Sequence, residues 1–532
     1  MELDDKLYRA FLEEMHALED FRMTYASEHP TTPIEREDPD VKRLTEAMAI
    51  FAARTRMAAL TNLIASRRRI FRQFLPYLLS PAPSMGLVQA IPTGRFTDVA
   101  VLPRGAEIAM RTDGERAALF RVLRELRILP VTLGRLSAVT GPRGGVRMLF
   151  PFTTPYARND DIGTVSLLVN YLNDFQASLR VLSALRQNVS RVSVSFDERV
   201  DDQTKGAVCP VRYGLEDGAA ELAHPVERER LYFHFPQSEL FLHFQVPAPP
   251  RNWTRFTLCV DIDPGWPKNL RLSREAFVLF AAPVINLQRA MASPILHDGT
   301  KEAYPVRHPT LADGYELHSL RGVYRIDGGT MVPLRSAALG SGAGSYDLED
   351  DPTANGLRRP LLHLHWPSDF QGSSTISVDA EWHQPWFDEA SRGKVAIQPY
   401  RHSFLGLDWG LVGDFVAHHE PDFARETDDF THLLVLQNKS VMGKEDLVAL
   451  LGVLGAWRGP FAPLKALFEA VEVREVAQSG VKAGMKLAYW LRFATLDPTM
   501  QPLAETFAVH LGKVLDAWIA DAPVEVRMGS AT

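Results

Sequence analysis

One stretch constrains this chain more than any other. From Asp38 to Met85 it reads as a long apolar-periodic helix, then a cluster of arginines, then Leu75-Pro76-Tyr77-Leu78-Leu79-Ser80-Pro81-Ala82-Pro83-Ser84-Met85. Asp38 suits an N-cap, Pro39 suits the first helical position, and Asp40 puts a carboxylate at the positive end of the helix. Val41, Leu44, Met48, Phe51 and Ala52 recur at helical spacing, and Thr55, Ala59 and Leu63 continue the stripe. Unbroken to Ile64, such a helix is roughly 40 Å long. Leu7, Phe11, Met15 and Leu18 mark an earlier amphipathic helix that ends before His29-Pro30. Arg67, Arg68, Arg69 and Arg72 are expected on a shorter third helix, interrupted at Pro76, with the cations forming a solvated face that also covers acidic neighbours. Two helices of this kind carry more apolar surface than one hairpin can hide. The first 85 residues therefore predict a bundle completed by partner helices.

Beyond Pro81 and Pro83 the pattern changes to short strands. Val99–Leu102, Glu107–Met110 and Ala118–Leu123, separated by Pro103-Arg104-Gly105 and Thr112-Asp113-Gly114, predict a β-meander. Strands are also expected at 166–172, 192–196, 231–235, 240–244, 277–282, 361–366 and 375–380. Helices are expected over Leu179–Leu185, Glu445–Leu454 and Thr506–Ile519. Residues 338–357, rich in Gly, Ser and acidic side chains, predict a flexible surface loop. The fold class that follows is α+β and elongated, with three regions. A helical segment spans 1–85, a β-rich and mostly antiparallel region of two subdomains spans 86–330, and a mixed α/β region spans 331–532.

Composition narrows the function classes. A net charge of −7 argues against sequence-independent nucleic-acid binding, which requires a basic face. No run of about 18 apolar residues is present, so no membrane insertion is expected, and the acidic start Met1-Glu2-Leu3-Asp4-Asp5 is unlike a secretory signal. Cys209 and Cys259 are too few for a disulfide framework or a zinc ribbon, and predict reduced, buried thiols in the cytoplasm.

Motifs for chemistry fare poorly. The run Gly340-Ser341-Gly342-Ala343-Gly344-Ser345 lacks the lysine a phosphate loop needs, and meets Asp347, Glu349, Asp350 and Asp351, whose charges repel phosphate. His363 and His365 alternate on one strand, expected near a sheet edge, with His383, His402, His418, His419 and Glu420 downstream. Their spacing matches no metal motif. No Gly-x-Ser-x-Gly elbow occurs, and the clustered carboxylates are too crowded for a positioned acid–base pair. No enzyme activity and no cofactor are expected.

Asp38-Pro39-Asp40-Val41 with Arg43-Leu44, Phe51-Ala52-Ala53-Arg54, Leu75-Pro76-Tyr77-Leu78 and Pro81-Ala82-Pro83-Ser84-Met85 resemble, in order and spacing, the amino-terminal signature of the TssF family. The Pro103-Arg104-Gly105 turn, Pro283-Val284-Ile285-Asn286-Leu287, Tyr304-Pro305-Val306 and Tyr315–Leu320 resemble its middle. The resemblance covers most of residues 1–325, is clearest at 38–136 and 277–325, and weakens after about 340. It implies a wedge subunit of the type VI secretion baseplate, in which two copies of the chain and one TssG associate through amino-terminal helices. It further implies TssK and TssE as partners, and six wedges around a VgrG spike as the platform for the Hcp tube and sheath. Such a baseplate is cytoplasmic and docks on the inner-membrane complex through partners. Family members often close on a tryptophan- and arginine-rich tail, which Val524–Gly529 does not match. The interface residues expected are Leu7, Phe11, Leu18, Val41, Leu44, Met48, Phe51 and Leu63, with Pro76, Pro81 and Pro83 fixing the exit from the bundle. Two other readings compete: a wedge protein of a contractile phage tail or related injection particle, and a metal-dependent hydrolase using the carboxy-terminal histidines.

Overall fold

The computed structural model describes residues 2–29, 39–112, 116–140, 145–201, 204–214, 224–267, 269–337, 344–352, 358–366, 372–421, 427–477, 485–519 and 522–529. The chain opens with α1 (Glu2–Glu28) and α2 (Pro39–Phe74). The capping role expected for Asp38 lies outside the described residues. Within α2 neither Gly nor Pro follows Pro39, and alanine and arginine dominate, so nothing stops propagation. The arginine cluster therefore sits on α2 itself rather than on a separate third helix. At 36 residues the helix is about 54 Å long, beyond the 40 Å expected. It stops at Leu75, where the following proline disfavours helical geometry and the backbone turns to φ −132°.

Among the described residues, seven sheets follow. The first orders Ala396–Pro399, Glu107–Arg111, Ala117–Val122, Ala281–Ile285, Met85–Pro92 and Leu407–Leu411, so it takes strands from both sides of residue 330. The second centres on Val146–Arg158 and Trp253–Ile262, and the third on Thr164–Val169 and Phe241–Gln245. Their inward faces, with one side of α3 (Phe175–Asn188), enclose a core that includes Phe120, Phe150, Phe152 and Phe256. Ala100–Leu102 pairs with Leu126–Ile128 alone. The expected three-stranded meander is thus a hairpin of 107–111 and 117–122 with its first strand diverted, because Leu102 and Leu126 bury on the same core.

Residues 231–234 are helical, not a strand: they end α4 (Pro225–His234), with Phe235 at its C-cap. The inward positions of that helix include Glu229 and Arg230, which broke the apolar period a sequence reading relies on. Ser374–His383 and Glu316–Asp327 build a fourth sheet, which packs on a fifth containing Ala303–Pro305, Arg358–His365 and Ser345–Pro352. Residues 345–352 are therefore a paired strand instead of loop, with Tyr346 and Leu348 against the core; 338–343 and 353–357 lie outside the described residues. Pairing on both sides also puts His363 and His365 on an interior strand, not at an edge.

A short α5 (Phe387–Ala390) precedes the carboxy-terminal unit: α6 (Thr427–Gln437), α7 (Lys444–Val453), α8 (Ala462–Leu467), α9 (Gln501–Trp518) and the sheet of Phe468–Ala477, Met485–Phe493 and Val524–Met528. Its core extends to α4 through Phe233 and to the base of α2 through Phe71, Leu75, Leu78 and Leu79. Cys209 and Cys259 are both buried thiols, the first pushed up to about 12 by burial.

The join between α4 and α9 is polar and buried. His510 Nδ1 lies 2.6 Å from Glu229 Oε2 and its Nε2 3.5 Å from Glu239 Oε2, and the imidazole stacks on Tyr232 with centroids 3.4 Å apart. Burial alone pushes this imidazole down, but hydrogen bonds and charge from both glutamates more than offset it, so its pKa is raised. A raised folded-state value stabilises the fold fully below the ordinary value of 6.5 and loses that contribution as pH climbs through the folded value. His510→Gln should therefore lower the thermal midpoint most at pH 6 and progressively less toward alkaline pH, as followed by circular dichroism.

Candidate functional site

The α1–α2 hairpin carries a dense series of exposed large apolar side chains. At 100° per residue, Ala49 and Ala53 share one side of α2, and both are fully buried. Arg56 joins that side to α1 through Glu13 (3.0 Å) and Glu14 (3.2 Å). Leu44, Met48 and Phe51 lie on the opposite side at i, i+4 and i+7, and are 63%, 55% and 70% exposed. Alanine, with no side chain beyond Cβ, lets α1 approach on one face and leaves the large side chains for the other.

The expected interface residues thus divide into groups. Leu7, Phe11 and Leu18 form the inward side of α1 and are half-buried within the hairpin. Leu44, Met48 and Phe51 form the outward stripe; Leu63 is exposed but lies about 100° around the helix from Leu44. Val41 falls in the first turn of α2, its side chain outside the described set. Tyr8, Phe21 and Met23 on α1 are further exposed large side chains that the periodicity of α1 did not single out. Pro76 opens a short 3-10 turn at the surface, whereas Pro81 and Pro83 are buried.

Those two prolines sit in a strap held from several elements. The Pro81 carbonyl accepts from His318 Nε2 at 2.9 Å, and the Pro83 carbonyl from His234 Nε2 at 3.0 Å, on α4. Between them, Ala82 exchanges both backbone hydrogen bonds with His419, at 2.9 and 2.8 Å. Met85 exchanges both with Val416 (3.0 and 2.8 Å). Ser84 Oγ bonds to Asp388, the carboxylate that also pairs with His418. Upstream, Tyr77 stacks on His224 and its carbonyl accepts from Arg230 at 3.0 Å. None of these side chains was legible as a partner of the strap, because each lies far away in sequence.

A second anchor lies further up α2. Arg69 forms an ion pair with Glu349 on strand Ser345–Pro352, so the basic cluster meets an acidic strand where acidic helices were expected. Glu349 also approaches His363 at 3.5 Å, and Asp347 approaches His365 at 3.2 Å. Of the histidines considered as metal ligands, His363, His365 and His418 are thus engaged with carboxylates in separate pairs. No three His, Cys, Asp or Glu among the described residues are grouped so as to hold a metal ion. Nor, among the described residues, is any helix long and apolar enough to cross a membrane.

A multidomain α/β body that carries a rooted helical hairpin with its apolar stripe turned outward defines a class, the scaffold subunit of a larger assembly. A family model described as "Type VI secretion system, TssF" matches residues 3–346, and the chain belongs to that family. Two solved structures share the fold. One is a chain of the type VI secretion system TssK-TssF-TssG baseplate subcomplex, with TM-score 0.71 and 17% identity over 92% of this chain and 96% of that one. The other is a chain of the baseplate complex from the type VI secretion system, with TM-score 0.60 and 17% identity over 98% and 96%. No curated protein matches this chain.

His234 gives the strap a measurable pH response. Burial lowers its pKa from 6.5 to about 4, against the opposing effect of its bond to Pro83. The unfolded chain therefore takes up a proton first as pH falls, and stability at the strap declines between pH 6.5 and about 4 by up to roughly 3 kcal/mol. His234→Gln retains a donor for Pro83 without that titration. Hydrogen exchange at the Ala82 and Met85 amides should then slow in the variant relative to wild type as pH is lowered across this window.

Proposed function

We propose that this chain is a structural subunit of the type VI secretion baseplate, built into a wedge with TssG and TssK. Membership of the TssF family and the shared fold of the two baseplate chains support this reading. The observation that carries it is the outward stripe of Leu44, Met48 and Phe51 on a helix whose opposite side is already filled. Each such side chain gains about 1.5–3 kcal/mol when fully buried, enough in combination to favour a helical partner over water. In this reading α1 supplies the inner support through Leu7, Phe11 and Leu18. The outward stripe meets helices of TssG and of a second copy of the chain, and Pro76, Pro81 and Pro83 set the angle at which the hairpin leaves the body.

The finer parts of the assembly belong to the same proposal. They are two copies of the chain per TssG, contact with TssE, six wedges around a VgrG spike, and growth of the Hcp tube and sheath on that platform. So are a cytoplasmic location and a purely mechanical, non-enzymatic role. The division into a helical region 1–85, a β-rich region 86–330 and an α/β region 331–532 also stands as a proposal, without the loop expected over 345–352.

Co-expression with a TssG and a TssK tests it directly. Met48→Asp and Phe51→Asp place a charge at the centre of the contact, where an unpaired carboxylate costs several kcal/mol on burial. Both sites are exposed in the chain alone, so the variants should keep the wild-type circular dichroism spectrum and melting behaviour. Their yield in a TssG pull-down should fall at least tenfold. Undiminished capture of both folded variants would remove the stripe from the interface.

A further inference from the structure

The fourth sheet walls a core on one side only. Ile376, Val378, Ala380 and Trp382 of its central strand face the fifth sheet, so the residues between them turn outward. Register carries one outward row across four strands: Leu296 lies opposite Thr375, Thr375 opposite Ile326, and Ile326 opposite Met331. Leu296, Ile326 and Met331 are exposed, and so is Met291, opposite Asp379 on the same face. Beside the row Tyr324 lies along the sheet, where a Cβ at Gly322 would come within 2.5 Å of its Oη. The row is about 14 Å wide, three strand spacings, and the face runs about 20 Å along the strand from Thr375 to Glu381. An exposed apolar patch rimmed by polar groups marks a contact site.

The Glu381 end of this face is basic. Asp379 and Glu381 are buried there, with Arg321 3.7 Å from Glu381 and Arg289 donating to both oxygens of Asp379 at 3.2 and 2.5 Å. Arg121, on strand Ala117–Val122 of the first sheet, reaches the same group. Burial lowers its pKa, Glu381 opposes that, and the charges of Arg321, Arg104 and Arg289 add to it. Among the described residues, the Arg104 and Arg121 side chains make no hydrogen bond or ion pair. Glu227 on α4 also lies within range of Arg321, but brings Arg230 with it. Four arginines against two buried carboxylates leave two positive charges over, and Arg104 and Arg289 hold theirs in water. Asp298, exposed two residues beyond Leu296, makes the opposite end acidic. The charge along the face is therefore graded, and an occupant has one preferred direction.

Size selects the occupant. The flat area is about 300 Å², against about 800 Å² per partner in a stable complex, so the face is too small to hold a second copy of the chain by itself. It matches one α-helix, about 10–12 Å across with its side chains, of which about 13 residues span 20 Å. We propose that the outer face of the fourth sheet seats a single amphipathic helix of a neighbouring subunit, its apolar side on Leu296, Ile326 and Met331 and its acidic first turn against Arg104 and Arg121. Carboxylates in a first turn also suit the helix dipole. The source of the helix rests on the baseplate reading; its chemistry does not.

The test has two arms. In the first, the purified full chain is titrated against a dye-labelled helical peptide of about 18 residues, with leucines at i, i+3, i+4 and i+7 and three glutamates in its first turn, read by fluorescence anisotropy. It should bind at least tenfold tighter than the same peptide with lysines for the glutamates. Leu296→Asp and Met331→Asp, both at exposed positions, should each weaken it at least tenfold, and Arg104→Glu should abolish the preference for glutamate. Met48→Asp should leave it within twofold. Equal binding of the two peptides, binding unchanged in the folded face variants, or loss of binding in Met48→Asp would overturn the assignment. In the second arm, p-benzoylphenylalanine replaces Met331 in the complex co-expressed with TssG and TssK. Photolysis should join it to an apolar helical segment of one of those subunits that begins with acidic residues. A crosslink between two copies of this chain, or none in the assembled complex, would overturn the occupant. Should the wild-type chain fail to assemble at all, the baseplate reading falls while the peptide titration still decides the face.

Discussion

Two imidazole donors, His318 on the Pro81 carbonyl and His234 on the Pro83 carbonyl, fasten the strap through which the helical hairpin is joined to the rest of the protein. Proline has no N–H, so at these positions the carbonyls are the backbone groups left to satisfy, and each is taken by an imidazole. The pairing of Ala82 with His419 and of Met85 with Val416 completes a short antiparallel stitch in the same segment. Directly before it, Phe71, Leu75, Leu78 and Leu79 sink into the carboxy-terminal core. Direction and depth of the hairpin root are therefore set by one continuous stretch, in which apolar burial and directional hydrogen bonds act on successive residues.

The same stretch explains how regions distant in sequence share one body. The first sheet recruits strands near residues 90, 120, 283 and 409, and the core beneath α2 reaches to α9. The Glu229–His510–Glu239 contact joins α4 to α9 through a group that carries its charge more readily than in water. Such buried ionic contacts are poor sources of net stability but are costly to break one partner at a time, which favours a single arrangement of the joined units.

Much of the helical and strand framework was legible because its apolar residues keep period. The stripes of α1 and α2, the core face of α9 and the strand over 192–195 all follow from spacing alone. Where period failed, charged residues pointed inward. Glu229 and Arg230 hide the helical character of α4, and the acidic residues of 345–352 hide a strand whose Tyr346 and Leu348 face the core. The strap was visible as a run of prolines, yet its partners were not. His234 and His318 lie 151 and 237 positions away, and a histidine bound to a carbonyl leaves no local pattern. The outward direction of Leu44, Met48 and Phe51 needed the structure too, since only the burial of Ala49 and Ala53 shows which side of α2 is already occupied.

The asymmetry of α2 carries a mechanical consequence. Its lower end is embedded at Phe71 and braced by Arg69 against Glu349, while its upper end carries the exposed stripe. A rigid rod of about 54 Å pivoting by about 5° at its base sweeps its tip through about 5 Å, close to the pitch of one helical turn. Displacements too small to disturb the pivot thus become, at the far end, as large as a full step of side-chain register, and whatever grips that end can in turn exert leverage on the body below.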